Sequence, residues 1–141
     1  MNHSSKRITI PVDGSKNSLR SLDYLSLIYG AKHDLKVLVC YILPALPLIF
    51  EDKKPLTKEE RRRLKAIRTK NIEIAHQILK EAKEHLMKKG FDENCINADY
   101  HQKKQTVAKD VRHYALEDKS QAILMARHGR TELRAPFMGE V

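Results

Sequence analysis

Two short segments of the chain carry residue types that suit a nucleotide. The first is Val12-Asp13-Gly14-Ser15; the second runs from Ala126-Arg127-His128-Gly129 to Gly139-Glu140-Val141. A glycine at a loop–helix junction lets main-chain N–H groups approach phosphate oxygens, and a helix N-terminus adds partial positive charge. Nine residues separate Gly129 from Gly139, with Arg130 and Arg134 among them, so the second segment reads as a phosphate cradle. Asp13 has a plainer reading as well, that of a turn residue whose carboxylate satisfies its own backbone. His128 lies inside the candidate loop, whereas His33, His76, His85, His101 and His113 are scattered without ligand spacing. No Ser-His-Asp order, carboxylate pair or Walker lysine can be assembled around these loops. Catalysis is therefore not an expectation, beyond at most a slow ATPase, and no metal site of the protein's own is expected.

Both segments follow stretches that read as strands. Ile8, Ile10 and Val12 alternate over Lys6 to Val12; Pro within a run usually demotes a strand to an edge, so at Pro11 the last ladder bond is expected to be absent or turned outward. Ser15 is placed to cap a helix carrying Leu19, Leu22, Leu25 and Tyr29 at spacings of three and four. Lys36 to Leu43 is almost continuously apolar, as a strand covered on both faces would be. Thr57 and Glu60 form a capping box before a long amphipathic helix marked by Leu64, Ile67, Ile74, Ile78, Ala82 and Leu86, which Asn71 interrupts and Gly90 closes. Cys95 to His101 is a weaker strand, Thr106 caps a third helix through Val111 and Ala115, and Ala122 to Ala126 is a short buried strand. The order β-α-β-α-β-α-β predicts an open, mostly parallel sheet with helices on both faces. Ligands of such sheets bind beyond the carboxyl ends of the strands, where both segments fall.

The same residues carry a family resemblance. Ile8-Thr9-Ile10-Pro11-Val12-Asp13-Gly14-Ser15, with Ile123 to Gly129 and Phe137 to Val141, resembles the opening and closing motifs of universal stress proteins. That resemblance implies an α/β fold akin to the adenine-nucleotide alpha hydrolases, ATP as ligand with Mg if bound, and a homodimer or tandem-domain pairing through a last strand. It places Asp13 beside the adenosine, Tyr41 in the lining of the adenine pocket, and Gly129 and Gly139 at the phosphates. Gly14, Ser15, Ala126, Arg127, His128, Glu140 and Val141 complete the expected site. Ala126 replaces the family's first motif glycine, and Glu140 stands where a Ser or Thr would donate to a phosphate. A carboxylate at about 4 Å repels a phosphate by roughly 1 kcal/mol in water, more when desolvated. The alternative is thus a degenerate domain of the same fold that serves as a dimerisation or interaction platform.

The 141 residues suffice for one domain, and the expectation is a single domain over 1–141. A helix starting near Gly139 would have no body here, so truncation or a longer parent chain is expected, with the last helix and strand missing. No apolar run approaches the roughly 20 residues of a membrane span, and the polar start has no signal-peptide core, so the cytoplasm is expected. Cys40 and Cys95 form no disulfide framework and read as small buried apolar groups. Residues 53–89 hold thirteen Lys or Arg against five Glu. A nucleic-acid footprint is one reading of that charge; a solvated helix face, with no aromatic residues interleaved for base stacking, is the preferred one.

Overall fold

The computed structural model describes residues 6–29, 35–45 and 55–126. Four parallel strands, β1 (Lys6–Pro11), β2 (Leu35–Leu43), β3 (Ile96–Gln102) and β4 (Ala122–Ile123), lie in the order β3-β2-β1-β4. Between them, among the described residues, come α1 (Lys16–Tyr29), α2 (Lys58–Lys88), α3 (Val107–Asp118) and a 3-10 turn over Glu93–Cys95. The expected α/β architecture is present.

Alternation along the strands sorts the core into two layers. Ile8, Ile10 and Val12 of the first strand segment and Val37, Val39 and Tyr41 of β2 pack with Leu22 and Leu25 of α1 and Leu79 and Leu86 of α2. Cys40 and Ile42 point the other way, onto Val111 and Tyr114 of α3. β2 is buried at eight of its nine positions, which is why its sequence shows a run instead of alternation. Full burial of Leu22 or Leu25 contributes about 1.5–3 kcal/mol each.

α2 starts with the capping box as expected: Glu60 N–H donates to Thr57 Oγ1 at 3.0 Å, and Thr57 N–H to Glu60 Oε1 at 2.9 Å. Gly90, at φ +103°, ends it in the left-handed region that glycine enters without strain. All the buried residues of α2 lie in its second half: Ala75, Leu79, Ala82 and Leu86. The basic first half is held by local pairs such as Glu59–Arg63 at 3.5 Å, both well exposed. Exposed pairs of this kind are worth about 0.3–0.5 kcal/mol.

The Pro11 expectation of an absent or outward-turned last ladder bond holds, although β1 lies between β2 and β4 and not at an edge; the expectation for β4 is corrected. Thr9 C=O accepts from Leu124 N–H at 2.9 Å and Val12 N–H donates to Cys40 C=O at 2.9 Å, so odd residues of this segment address β4 and even ones β2. Pro11 therefore turns its missing donor toward β4, which has already ended, and costs no ladder bond. The strand expected over Ala122 to Ala126 is only two residues long and both are exposed. Its main-chain pairing with Ile8 and Thr9 is retained.

A polar chain ties β1 to the approach of β4. Thr9 Oγ1 and Ser120 Oγ lie 2.6 Å apart, Ser120 donates to Asp118 Oδ2 at 2.8 Å, and Arg7 Nη1 reaches Asp118 Oδ1 at 3.2 Å. Thr9 is fully buried, and this partnering removes the cost of burying its hydroxyl.

On the outer side, Asp23 of α1 accepts from His85 at 2.6 Å and Lys89 at 3.4 Å, clasping α1 to α2. The His85 hydrogen bond, aided by the nearby positive charges, holds the Asp23 carboxyl below its ordinary range. A depressed carboxyl contributes stability above its unfolded pKa and loses it as pH falls through the folded value. The contribution of this clasp is thus expected to disappear below about pH 4. Urea unfolding of wild type and Asp23→Asn across pH 3–7 checks this: the two curves should converge at the acid end. A gap that stays constant over that range would exclude the linkage.

Candidate functional site

The strand order reverses direction at β1: β2 and β3 lie on one side and β4 on the other. At such a point the loops leaving two neighbouring strands diverge and open a crevice. Here the crevice lies at the carboxyl ends of β1 and β2, with a volume of about 150 Å³. Pro11, Val12 and Asp13 form one wall, Tyr41 and Ile42 another, Met125 and Ala126 the far side, and Ser18 and Val107 border it. Pro11 helps to keep it open, since an N–H at that position would face β4 and could extend the ladder toward Leu124.

Asp13 is fixed by its own turn. Ser15 N–H donates to Asp13 Oδ1 at 2.8 Å, and Ser18 Oγ donates to the same oxygen at 3.1 Å. Ser18 N–H in turn reaches Ser15 Oγ at 3.2 Å, so Ser15 caps α1 as its sequence position suggests. Gly14 has φ +85°, and a Cβ added there would lie 3.1 Å from Ile78 Cδ1. Its conformation, and not only its exposed amide, demands glycine.

α3 borders the crevice through its first residue, Val107, and the loop before it is tied down from inside. Asp110, 4% exposed, accepts from Lys104 N–H at 2.8 Å and from Gln105 N–H at 3.2 Å. Thr106 Oγ1 accepts from Lys109 N–H at 3.1 Å, completing the N-terminal cap of α3. Beside it, His101 stacks on Tyr114 at 3.6 Å and 16°. Burial pushes the imidazole below its ordinary range, against the opposing pull of Asp99 and Glu117. Cys40, buried under α3, has its thiol pushed up to about 12 by burial and is an apolar filler. Cys95 is only half-buried, unlike the expectation for it.

Of the residues expected from sequence, Asp13, Tyr41 and Ala126 come together at this crevice. Tyr41 is 7% exposed and belongs to the core as much as to the crevice. Gly14 and Ser15 serve the turn and the cap and do not line it. Arg127, His128, Gly129, Gly139, Glu140 and Val141 lie outside the described residues. Pro11, Ser18, Val107 and Met125 were not singled out as site residues. Ser18 had a signal, three residues after a capping Ser15; Val107 and Met125 had none, because only the folded topology brings them to Asp13.

The sequence pattern of the Universal stress protein family matches residues 4–141. The chain belongs to this family. Comparison with curated proteins gives no match. Among solved structures, this universal stress protein is similar to a family member from Burkholderia pseudomallei, with a TM-score of 0.62 at 16% identity, over 99% of this chain and 94% of that one. It is also similar to the universal stress protein from Archaeoglobus fulgidus in complex with dAMP, with a TM-score of 0.58 at 18% identity, over 96% and 92% of the two chains. A universal stress protein in complex with cAMP gives 0.57 at 16% identity, over 86% and 75%. At these identities the likeness establishes the fold. No helix among the described residues is long and apolar enough to cross a membrane.

Proposed function

We propose that this universal stress protein is a regulatory module that binds an adenine nucleotide in the crevice at the carboxyl ends of β1 and β2. The observation that carries the reading is the meeting of Asp13, Tyr41 and Ala126 at the one place in the sheet where the strand order reverses. Related proteins crystallised with dAMP and with cAMP support the adenine class. The described crevice, about 150 Å³, is smaller than the roughly 300–1,000 Å³ of a whole small-molecule site. It suits the base and ribose, with Asp13 addressing the ribose hydroxyls, an acceptor's proper partner. The phosphates then fall to the segment carrying Gly129 and Gly139, with Arg127, His128 and Arg130 offsetting Glu140. ATP, with Mg carried on its phosphates, is the ligand the family motif implies. Binding changes partner contacts, and turnover is not its purpose. The outer edge of β4, whose residues are exposed, supports pairing with a further strand in a homodimer or tandem arrangement.

Calorimetric titration of ATP into wild type and Asp13→Ala tests the reading. Wild type should give saturable one-to-one heat, and Asp13→Ala at least about tenfold weaker binding, a loss of about 1.4 kcal/mol. Absence of heat at about 1 mM nucleotide would sink it for this chain. In that event Glu140→Ser separates electrostatic exclusion from loss of the pocket: restored affinity assigns the loss to the Glu140 charge and supports the degenerate-platform alternative.

A further inference from the structure

The β3 edge of the sheet carries a second surface, which shares no lining residue with the crevice. Among the described residues β3 is the last strand on that side, and α2 packs against β2 and β3, with a groove of about 390 Å³ between helix and strand. Its floor is Leu79, Ile96 and Ala98, and its helix wall carries His76, Lys80 and Lys83. Those three recur at four and three residues along α2, hence on one face. Tyr100 closes one end, with its ring edge-on to His76 at 5.6 Å and 77°.

The main chain of β3 is presented along this groove. Lys103 N–H donates to Leu43 C=O at 3.3 Å, and the register runs unbroken from Val37↔Ile96 to Leu43↔Gln102. In a parallel ladder this phase turns odd residues toward β2 and even ones outward. Ile96 N–H is taken by Glu93 C=O, leaving the amides of Ala98, Tyr100 and Gln102 facing out. Edge strands are ordinarily blunted by Pro, by Lys on the strand or by a bulge. β3, Ile-Asn-Ala-Asp-Tyr-His-Gln, has none of these. Its cations stand instead on the helix across the groove, where they flank an added strand without blocking it.

We propose that this groove receives an extended acidic peptide of a partner protein, which adds to β3 as a further strand. Main-chain bonds to residues 98 and 100 would supply the affinity, and carboxylates at alternate positions would face His76, Lys80 and Lys83. Side chains on one face of a strand repeat every 6.6–7 Å, about the 6 Å rise between His76 and Lys80 and somewhat more than the 4.5 Å between Lys80 and Lys83. Asn97 and Asp99 also border the groove; their odd positions on β3 direct both side chains to the α3 face, away from the helix cations. Glu93 does reach the groove, pairing with Lys83 at 3.5 Å. A peptide carboxylate would exchange with that exposed partner.

Fluorescence anisotropy of a labelled eight-residue peptide alternating Glu with Val tests the proposal on the intact chain. Saturable one-to-one binding with Kd below about 100 µM is expected, weakened at least about tenfold by the double substitution Lys80→Glu/Lys83→Glu. The same peptide N-methylated at the amides that would face β3 should lose binding to a similar degree. No anisotropy change up to about 1 mM peptide overturns the proposal. Equal binding of the N-methylated peptide also overturns it, since adsorption by charge alone, as for a nucleic acid, does not need peptide N–H groups. Ala98→Pro, which deletes one outward donor, adds a check from the protein side. A wild-type dimer in light scattering that this substitution dissolves would assign the edge to a second copy and overturn it as well. If Ala98→Pro does not fold, the lysine reversal and the methylated peptide decide.

Discussion

Replacing Asp110 with alanine is expected to lower the stability of the fold by about 2–3 kcal/mol, among the largest effects of any polar substitution outside the strands. The carboxylate is 4% exposed and receives the amides of Lys104 and Gln105. Hydrogen bonds to a charged acceptor are worth about 1.5–3 kcal/mol each before the relief of desolvating the carboxylate is subtracted. Without them the chain between β3 and α3 is left with the Lys103–Leu43 main-chain bond and the Thr106 cap. Urea unfolding measures the loss, and hydrogen exchange locates it: the amides of Lys104 and Gln105 should lose protection before the strands do. Asp110→Asn, which keeps an acceptor of the same shape, should cost about half as much. A loss under about 0.5 kcal/mol for the alanine variant would show that water replaces the carboxylate freely. Because Val107 borders the crevice, the same variant should weaken nucleotide binding without touching Asp13.

Gly14→Ala is the second large effect, expected at about 2 kcal/mol. Its φ of +85° costs an L-residue about 1–2 kcal/mol. The new Cβ also meets Ile78 at 3.1–3.2 Å, closer than ordinary contact. The Ile78 side chain can yield by a few tenths of an ångström, so the backbone dominates and the contact adds the smaller share. A double-mutant cycle separates them: in an Ile78→Ala background the cost of Gly14→Ala should fall by the contact's share and keep the rest. Equal cost in both backgrounds would remove the contact from the account. No cost in either would mean that the turn relaxes to another conformation.

Much of the architecture is legible in local pattern because its causes are local. The capping box of Thr57 and Glu60, the cap at Thr106 and the glycine end of α2 each involve groups within four residues of one another. The unbroken apolar run of β2 announces a strand buried on both faces, and that is its position. Asp13 is legible as a turn residue for the same reason, its carboxylate being held by Ser15 and Ser18.

What depends on which strand lies beside which was not legible. Pro11 suggests an edge strand by itself; it sits in the middle of the sheet because its missing donor faces the side where β4 has stopped. The four residues after Ala122 suggest a longer strand, yet pairing ends at Ile123. The two loops whose residue types suit a nucleotide could be named from sequence. Only the order β3-β2-β1-β4 brings Asp13, Tyr41 and Ala126 to one crevice and adds Ser18, Val107 and Met125 to its walls. Residue type and spacing determine the turns, caps and faces of this protein through bonds a few residues long. Neighbourhood across the sheet is decided by packing between segments up to more than a hundred residues apart, and so belongs to the tertiary structure alone.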